Sequence, residues 1–346
     1  ITSEYIIKYK SDKIYTTNDF ILIENCIFNQ CESKCCYFDA KTESFEKITI
    51  SNCVFINCCN FNSSNFSIGF NEMADSISFL FFENNFHDCG KSYMKNFVIM
   101  LNMNQTKSKN NLLLIENNFF DNSYVSIILE QKELAIIQNC NFSKVFGTSI
   151  ISNYMSNLLI QNCLFNDIIN GSFIDNSFNV LDAKIENCTF MNSDNSFPAI
   201  ISYTENLLII ENNFTKCNRN TIIINATNQI AFMSPFQLIN NYISNQNNLS
   251  FCISINEMNL NPIIKGNTFS DIKTELDTSY LLDMQVSETA RSIIFDNNTF
   301  TNITSPNGSF NSKFYNLNNL TINLTFLNCY FVDNIQDNPG GAINAH

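Results

Sequence analysis

The sequence lacks tryptophan and is poor in several other residues. Among its 346 residues there are 8 Gly, 5 Pro and 2 His. The scarcity of Gly and Pro excludes a collagen-like chain or a flexible linker. The 19 Lys and Arg stand against 32 Asp and Glu, a net charge of −13. This balance argues against a nucleic-acid-binding protein, because such a protein needs a basic face.

Asparagine and phenylalanine are abundant by contrast. The chain has 60 Asn and 33 Phe, and 45% of its residues are apolar. The apolar fraction is ordinary for a folded protein, which excludes a wholly disordered chain. No stretch approaches the roughly 18 apolar residues of a membrane span. The surplus of Asn therefore reflects either compositional drift or a requirement at particular positions.

A short phrase recurs along the whole chain: an apolar residue, a polar residue, Asn, then Cys or Asn, with Phe one or two places on. Clear copies are 137–142 (IQNCNF) and 160–165 (IQNCLF). Twelve copies give a mean period of 27.5 residues, and those centred on residues 84 and 212 need a one-residue deletion before Phe. The central residues are Asn25, Asn52, Asn84, Asn117, Asn139, Asn162, Asn187, Asn212, Asn240, Gly266, Asn297 and Asn328.

The central position predicts a corner in the backbone. Asn and Gly are the residues that most readily adopt positive φ. Apolar residues alternate before and after this position but in opposite phase, as expected of two short strands that meet at a corner. A further short apolar strand follows about ten residues later, as in 126–129 and 221–224.

This pattern predicts an all-β protein, a single-stranded right-handed parallel β-helix (solenoid) of about twelve coils. A propeller blade needs about 40–50 residues, longer than the period observed. In a β-helix the central Asn residues would stack at the strand spacing and hydrogen-bond along the column. The right hand follows from the general preference of parallel crossovers. We expect one domain over residues 1–346, and a fragment of a longer chain because the sequence begins at Ile1.

The 14 cysteines also follow the repeat. Six come directly after the central position, and most are expected to be buried thiols, because stacked Cβ atoms lie about 4.8 Å apart, too far for a disulfide. The candidates for a disulfide are Cys31, Cys35, Cys36, Cys58 and Cys59. A zinc site in this group is disfavoured because the C-x-x-C spacing is missing.

Fourteen Asn-x-Ser/Thr sequons could carry glycan if a eukaryotic cell secretes the protein. The bland alternative is that they arise by chance from the Asn-rich composition. Asn187 and Asn297 are sequons at the corner, where we expect the ladder to block glycosylation. The candidates in predicted loops are Asn62, Asn65, Asn104, Asn170, Asn225, Asn248, Asn302, Asn307, Asn319 and Asn323.

The search for catalytic residues yields no candidate, and we predict neither a cofactor nor a metal. Glycoside hydrolysis needs two positioned carboxylates, and the acidic residues here are single and scattered. His87 is the only His besides the terminal His346, which disfavours a Ser-His-Asp triad. No phosphate-binding loop occurs.

The C-terminal end carries a family resemblance. An F-x-x-N at 331–334 is followed by G-G-A-I at 340–343, and F-x-x-N recurs at 119–122. This resembles the repeat signature of the polymorphic outer-membrane protein family and of similar β-helical surface proteins of parasitic protists. The resemblance implies a surface-exposed β-helix that works in adhesion or as a structural stalk.

We therefore expect a non-enzymatic extracellular or cell-surface β-helix that acts as an adhesin or as a structural or filament element. Its partners would be host or neighbouring-cell surface molecules or its own copies end to end, since an end coil exposes strand edges. No nucleic acid and no membrane span in this segment are expected. The alternative is a carbohydrate-active β-helical enzyme, a polysaccharide lyase or hydrolase, which three or more converging acidic residues in a groove would favour.

Overall fold

The computed structural model contains 36 strands and no helix among the residues that it describes. These residues are 5–11, 20–30, 34–40, 47–58, 66–71, 78–89, 97–101, 111–120, 123–130, 134–153, 157–193, 197–217, 221–225, 236–246, 251–258, 262–273, 280–286, 292–305, 310–315, 323–336 and 343–345. The contacts divide the chain into two compact units, Ile1–Leu181 and Asp182–His346. The single domain over residues 1–346 stays a prediction.

The first unit consists of three ladders of parallel strands. The ladder before the corner contains Phe20–Glu24, Lys47–Ser51, Ser78–Phe82, Asn111–Ile115, Leu134–Gln138 and Asn157–Gln161. The ladder after the corner contains Ile27–Asn29, Val54–Ile56, Asn85–His87, Asn118–Phe120, Asn141–Ser143 and Leu164–Ile168. The third ladder contains Tyr5–Ser11, Lys34–Ala40, Phe66–Asn71, Phe97–Leu101, Ser123–Glu130, Phe146–Asn153 and the start of Ile174–Glu186.

The second unit repeats this arrangement. Before the corner lie the end of Ile174–Glu186, the end of Ile200–Ile210, and Gln237–Ile239, Ile263–Lys265, Ser292–Asp296 and Asn323–Leu327. After the corner lie Thr189–Ser193, Asn213–Cys217, Tyr242–Gln246, Thr268–Lys273, Thr299–Ser305, Tyr330–Val332 and Ile335–Gln336. The third ladder contains the start of Ile200–Ile210, then Ile222–Asn225, Phe251–Met258, Tyr280–Val286, Phe310–Tyr315 and Ile343–Ala345.

The all-β fold with parallel strands is confirmed, and the short strands predicted about ten residues after the corner are confirmed as members of the third ladder. The 126–129 segment, for example, falls within the strand Ser123–Glu130. The 221–224 segment overlaps the strand Ile222–Asn225, which begins one residue later. Pairing runs residue against residue, as in Leu134–Gln138 against Asn157–Gln161. Equivalent residues of successive repeats therefore stack, and alternation sends every second one into the core.

The first corner has positive φ in every repeat, but not always at the predicted residue. The corner residues are Asn25, Asn52, Glu83, Glu116, Asn139, Asn162, Asn187, Glu211, Asn240, Gly266, Asn297 and Asn328, with φ between 49° and 67°. The predictions at Asn84, Asn117 and Asn212 are therefore wrong by one residue, and the two deletions are not needed. In these copies Asn-Asn follows Glu, and the greater tolerance of Asn for positive φ favoured the wrong alignment.

A second corner follows the first by five residues and was not predicted. Its positive-φ residues are Gln30, Asn57, Asp88, Lys144, Asp167, Asn192, Lys216, Asn245, Asp271, Asn302 and Asp333. The signal in the sequence was a polar residue at this fixed spacing, but its chemistry varies between amide, acid and base. The strand between the two corners is therefore short, and it presents one inward side chain, which is Phe in every repeat but that of Ile243.

These inward Phe side chains stack along the core. In the first unit the rings of Phe28, Phe55, Phe86, Phe119, Phe142 and Phe165 lie 4.6–4.9 Å apart, centroid to centroid. In the second unit, Phe190 stacks on Phe214 at 4.7 Å, and Ile243 takes the Phe position in the next repeat. Stacking resumes between Phe269 and Phe300 at 5.1 Å.

Candidate functional site

The position directly after the first corner points inward and holds only Asn or Cys; we call it the first-corner slot. Its six Asn residues are all buried: Asn84, Asn117, Asn212, Asn241, Asn267 and Asn298. Strand alternation explains the burial, since the corner itself faces outward and the next residue faces the core. A buried amide must find partners for its donors and its acceptor.

Asn267 shows how the first-corner slot is satisfied. Its Nδ2 donates to the backbone oxygen of Leu238 in the preceding repeat at 2.8 Å and to Oδ1 of Asn298 at 3.0 Å. Its own Oδ1 accepts from both the backbone N–H and the Nδ2 of Asn241, at 2.9 and 3.0 Å. The side chain thus forms hydrogen bonds with backbone groups at the corner that have no partner in the strand ladder.

Consecutive Asn residues in the slot form a hydrogen-bonded ladder. In the second unit, Nδ2 of each residue lies 3.0 Å from Oδ1 of the next along Asn212, Asn241, Asn267 and Asn298. In the first unit the same contact joins Asn84 and Asn117. The predicted Asn ladder is confirmed in its chemistry. Of the residues predicted for it, Asn84, Asn117 and Asn212 belong to it because they occupy the slot, whereas the others lie at the corner beside it.

Cysteine in the same slot places its thiol beside the same two carbonyl positions, either of which can accept its one hydrogen. The thiol of Cys53 lies 3.7 Å from the backbone oxygen of Ile23 and 3.2 Å from that of Ser51. These correspond to the Leu238 and Lys265 oxygens around Asn267. Cys therefore replaces the donor function of Asn but not its acceptor, which accounts for the occurrence of both residues at this position.

The second corner has an inward slot of its own, which we call the second-corner slot. The thiol of Cys58 lies 3.5 and 3.4 Å from the backbone oxygens of Phe28 and Ile56, either of which can accept its hydrogen. Asn334 accepts from the Ile303 N–H at 2.9 Å and donates to the Phe300 oxygen at 3.0 Å. The F-x-x-N signature at 331–334 therefore consists of the stacked Phe and the amide of this slot, and F-x-x-C is its equivalent in other repeats.

No disulfide joins any two of the twelve cysteines that the structure describes. Cys35, Cys36 and Cys58 of the proposed disulfide group are buried thiols, whereas Cys31 and Cys59 lie outside the described residues. Burial raises the pKa of the Cys140 thiol well above its ordinary value and that of Cys252 to about 12. These thiols are neutral, because a thiolate at these positions would lose its hydration.

The corner residues themselves are exposed. Asn187 and Asn297, which were expected to be blocked by the ladder, present their side chains to solvent. Their predicted place in the ladder is wrong, because the ladder runs through the neighbouring inward slot. Of the predicted glycosylation sites, Asn170, Asn302 and Asn323 are described and exposed, and Asn225 ends the Ile222–Asn225 strand. The other six, Asn62, Asn65, Asn104, Asn248, Asn307 and Asn319, lie outside the described residues.

The outer face between the corners differs from repeat to repeat. In the first unit, His87 stacks on Phe120 at 5.0 Å and its Nδ1 lies 2.7 Å from Asp88 Oδ2. Lys144 places its Nζ 5.1 Å from the centre of the same Phe120 ring. No sequence motif could have joined these residues. His87 and Asp88 belong to one repeat, Phe120 to the next and Lys144 to the one after that.

In the second unit, two carboxylates on the outer face have polar partners in neighbouring repeats. Ser270 and Asn302 both donate to the Asp271 carboxylate at 2.6 Å and lower the pKa of that carboxyl. Lys265 lies 2.9 Å from Asp296 and lowers the pKa of its carboxyl in the same way. These contacts hold exposed carboxylates in fixed positions along neighbouring repeats.

The described part of the chain contains no group of three or more His, Cys, Asp and Glu residues arranged to hold a metal ion. In the same ranges, no helix is present that is long and apolar enough to cross a membrane. Comparison with known proteins finds no protein-family model that matches the chain and no curated protein with significant similarity to it.

Proposed function

We propose that the chain is a right-handed parallel β-helix of about twelve coils with a mean period of 27.5 residues. The support is that both units repeat the same order of strand, corner, short strand, corner and third strand. Parallel connections of this kind are right-handed in nearly all proteins.

On this scaffold we place a non-enzymatic, extracellular or cell-surface role in adhesion or in a structural assembly. The supporting observation is the contrast between interior and exterior. The inward positions are nearly constant, with Phe between the corners in every repeat but that of Ile243 and only Asn or Cys in the first-corner slot. The outward position two residues after the first corner, by contrast, changes from Val54 to Asn85, Thr268 and Tyr330. Repeat proteins that bind along extended surfaces vary in this way on a constant core.

The resemblance to the polymorphic outer-membrane proteins supports the same role. The signature residues Phe331 and Asn334 occupy the stack and the second-corner slot. Partners on this proposal are host or neighbouring-cell surface molecules, or further copies of the chain.

The test is labelling of intact, unpermeabilised cells with antibody against the chain, together with binding of the purified chain to those cells. We expect surface labelling and saturable binding that a heat-unfolded sample does not show. Incubation with polysaccharides is expected to release no reducing ends. Exclusive detection in the cytosol, or release of sugar fragments, would contradict the proposal.

A further inference from the structure

Four sequons begin inside the repeat phrase itself, at Asn141, Asn187, Asn213 and Asn297. None of the six buried Asn residues of the first-corner slot begins a sequon. The phrase therefore places its sequons at positions that face outward. Asn141 is half-buried, whereas the other three are exposed and all belong to the second unit.

The two corner sequons combine exposure with a tight turn. Asn187 and Asn297 have φ of 49° and 55°, which turns each side chain away from the core. The hydroxyl residue of each sequon, Thr189 or Thr299, lies two residues on in the short strand, with its side chain half-buried on the outer face. The residue between the Asn and the Thr is Cys188 or Asn298, and it is buried. The Asn that would accept the glycan therefore does not itself belong to the core.

The third sequon lies within a strand, where alternation puts its Asn and Thr on one face. Thr215 donates its hydroxyl hydrogen to Oδ1 of the exposed Asn213 at 3.0 Å. This hydrogen bond engages the amide oxygen of Asn213 and not its Nδ2, the atom to which an N-glycan is attached. In the ladder, by contrast, Nδ2 of Asn267 is buried and engaged with Leu238 and Asn298.

We propose that Asn187, Asn213 and Asn297 are N-glycosylation sites, so that the outer face of the second unit between its corners carries sugar. This rests on the proposed extracellular role and on secretion by a eukaryotic cell. The donor is an oligosaccharide linked to a lipid pyrophosphate. The bond from Nδ2 to the sugar C1 forms, the bond from C1 to the pyrophosphate oxygen breaks, Nδ2 gives up a proton and the lipid pyrophosphate leaves.

The folded protein tolerates such sugars because each acceptor is exposed and none of the three belongs to either inward slot.

The test is to secrete the full chain from eukaryotic cells with a secretion leader, remove N-glycans enzymatically in ¹⁸O-water, and locate the labelled Asp residues by mass spectrometry. We expect label at Asn187, Asn213 and Asn297. The corner residues Asn139 and Asn240, which begin no sequon, are internal controls. Thr189→Ala, Thr215→Ala and Thr299→Ala should each remove one electrophoretic mobility step, and the corresponding Thr→Ser variants should restore it.

Absence of label at all three positions in the secreted chain would overturn the inference, whether or not loop sequons such as Asn170 are occupied. That result would leave the proposed surface role standing. Detection of the native chain only in the cytosol would instead contradict the surface role. The chain secreted with the leader would still show whether the three Asn residues accept glycan.

Discussion

At the scale of single residues, the first-corner slot accepts Asn and Cys because both are small and both can donate to the same backbone oxygens. Asn adds an acceptor, which reaches the N–H of the preceding repeat, as between Asn267 and Asn241. Leaving such buried groups without partners costs about 1–3 kcal/mol each. The identity of the residue in this slot should therefore matter more than that of the exposed Asn beside it.

Replacing Asn267 tests this hierarchy. Asn267→Ala should lower the free energy of unfolding by about 2–4 kcal/mol, because the Leu238 oxygen and the Asn241 N–H lose their partner. Asn267→Cys should cost less, since a thiol donates as in Cys53. Asn213→Ala, on the exposed face, should stay within about 0.5 kcal/mol of the unchanged protein. Equal denaturant midpoints for all three variants would rule out the bonding described for the slot.

The buried thiols predict a loss of stability at alkaline pH. Burial raises the pKa of Cys252 to about 12 from its ordinary 9.0. Above pH 9 the unfolded chain releases this proton while the folded chain keeps it, so stability falls with rising pH by at most about 1.4 kcal/mol per pH unit for each such thiol. Denaturant unfolding at pH 7.5, 9 and 10 should show this slope, and Cys252→Ala should make it shallower. An unchanged slope in the variant would contradict the assignment.

At the scale of the elements, the short strand between the corners carries one stacked Phe in almost every repeat. The sequence predicted these strands and their Phe, but it could not fix the register where Glu precedes Asn-Asn. In 115–120 the gap-free alignment matches Phe120 to the Phe of the other copies. In the structure, however, Phe119 pairs with Phe142 and is fully buried, and Phe120 is 37% exposed. Two adjacent Asn and two adjacent Phe residues allow both alignments, and only pairing with the next repeat decides between them.

The two Phe residues offer a matched pair of variants. Phe119→Ala should lower the free energy of unfolding by about 3–5 kcal/mol, because it leaves a cavity between two stacked rings. Phe120→Ala removes an exposed ring that stacks on His87 and lies beneath Lys144 Nζ. This variant should lower the free energy of unfolding by about 1 kcal/mol or less. A larger loss from Phe120→Ala in equilibrium unfolding would contradict the register.

At the scale of the whole molecule, the excess of acidic residues has a predictable effect. The chain carries a net charge of −13, and corner residues such as Glu83, Glu116 and Glu211 lie exposed in the column of the first corner. Self-repulsion of like charges opposes the compact state and is screened by salt.

The second corner could not be predicted from the sequence, because its polar residues share a fixed spacing but differ in chemistry.

Thermal unfolding at different ionic strengths checks the effect of the acidic excess. The midpoint temperature should rise when sodium chloride increases from about 10 mM to about 150 mM, where the screening length shortens to about 8 Å. A falling midpoint would contradict this expectation, because it would show that specific ion pairs such as Lys265 with Asp296 outweigh the general repulsion.

The central claim is that one outward corner and one inward slot follow each other in every repeat, and residues 116 and 117 test it most directly. Equilibrium unfolding of Glu116→Gly and Asn117→Gly should be compared. Glu116 has φ of 57°, so Gly should leave the free energy of unfolding unchanged or raise it by up to about 1 kcal/mol. Asn117→Gly should lower it by about 2–4 kcal/mol, because Asn84 and the Phe81 oxygen lose their partner. The reverse order of the two variants would contradict the account.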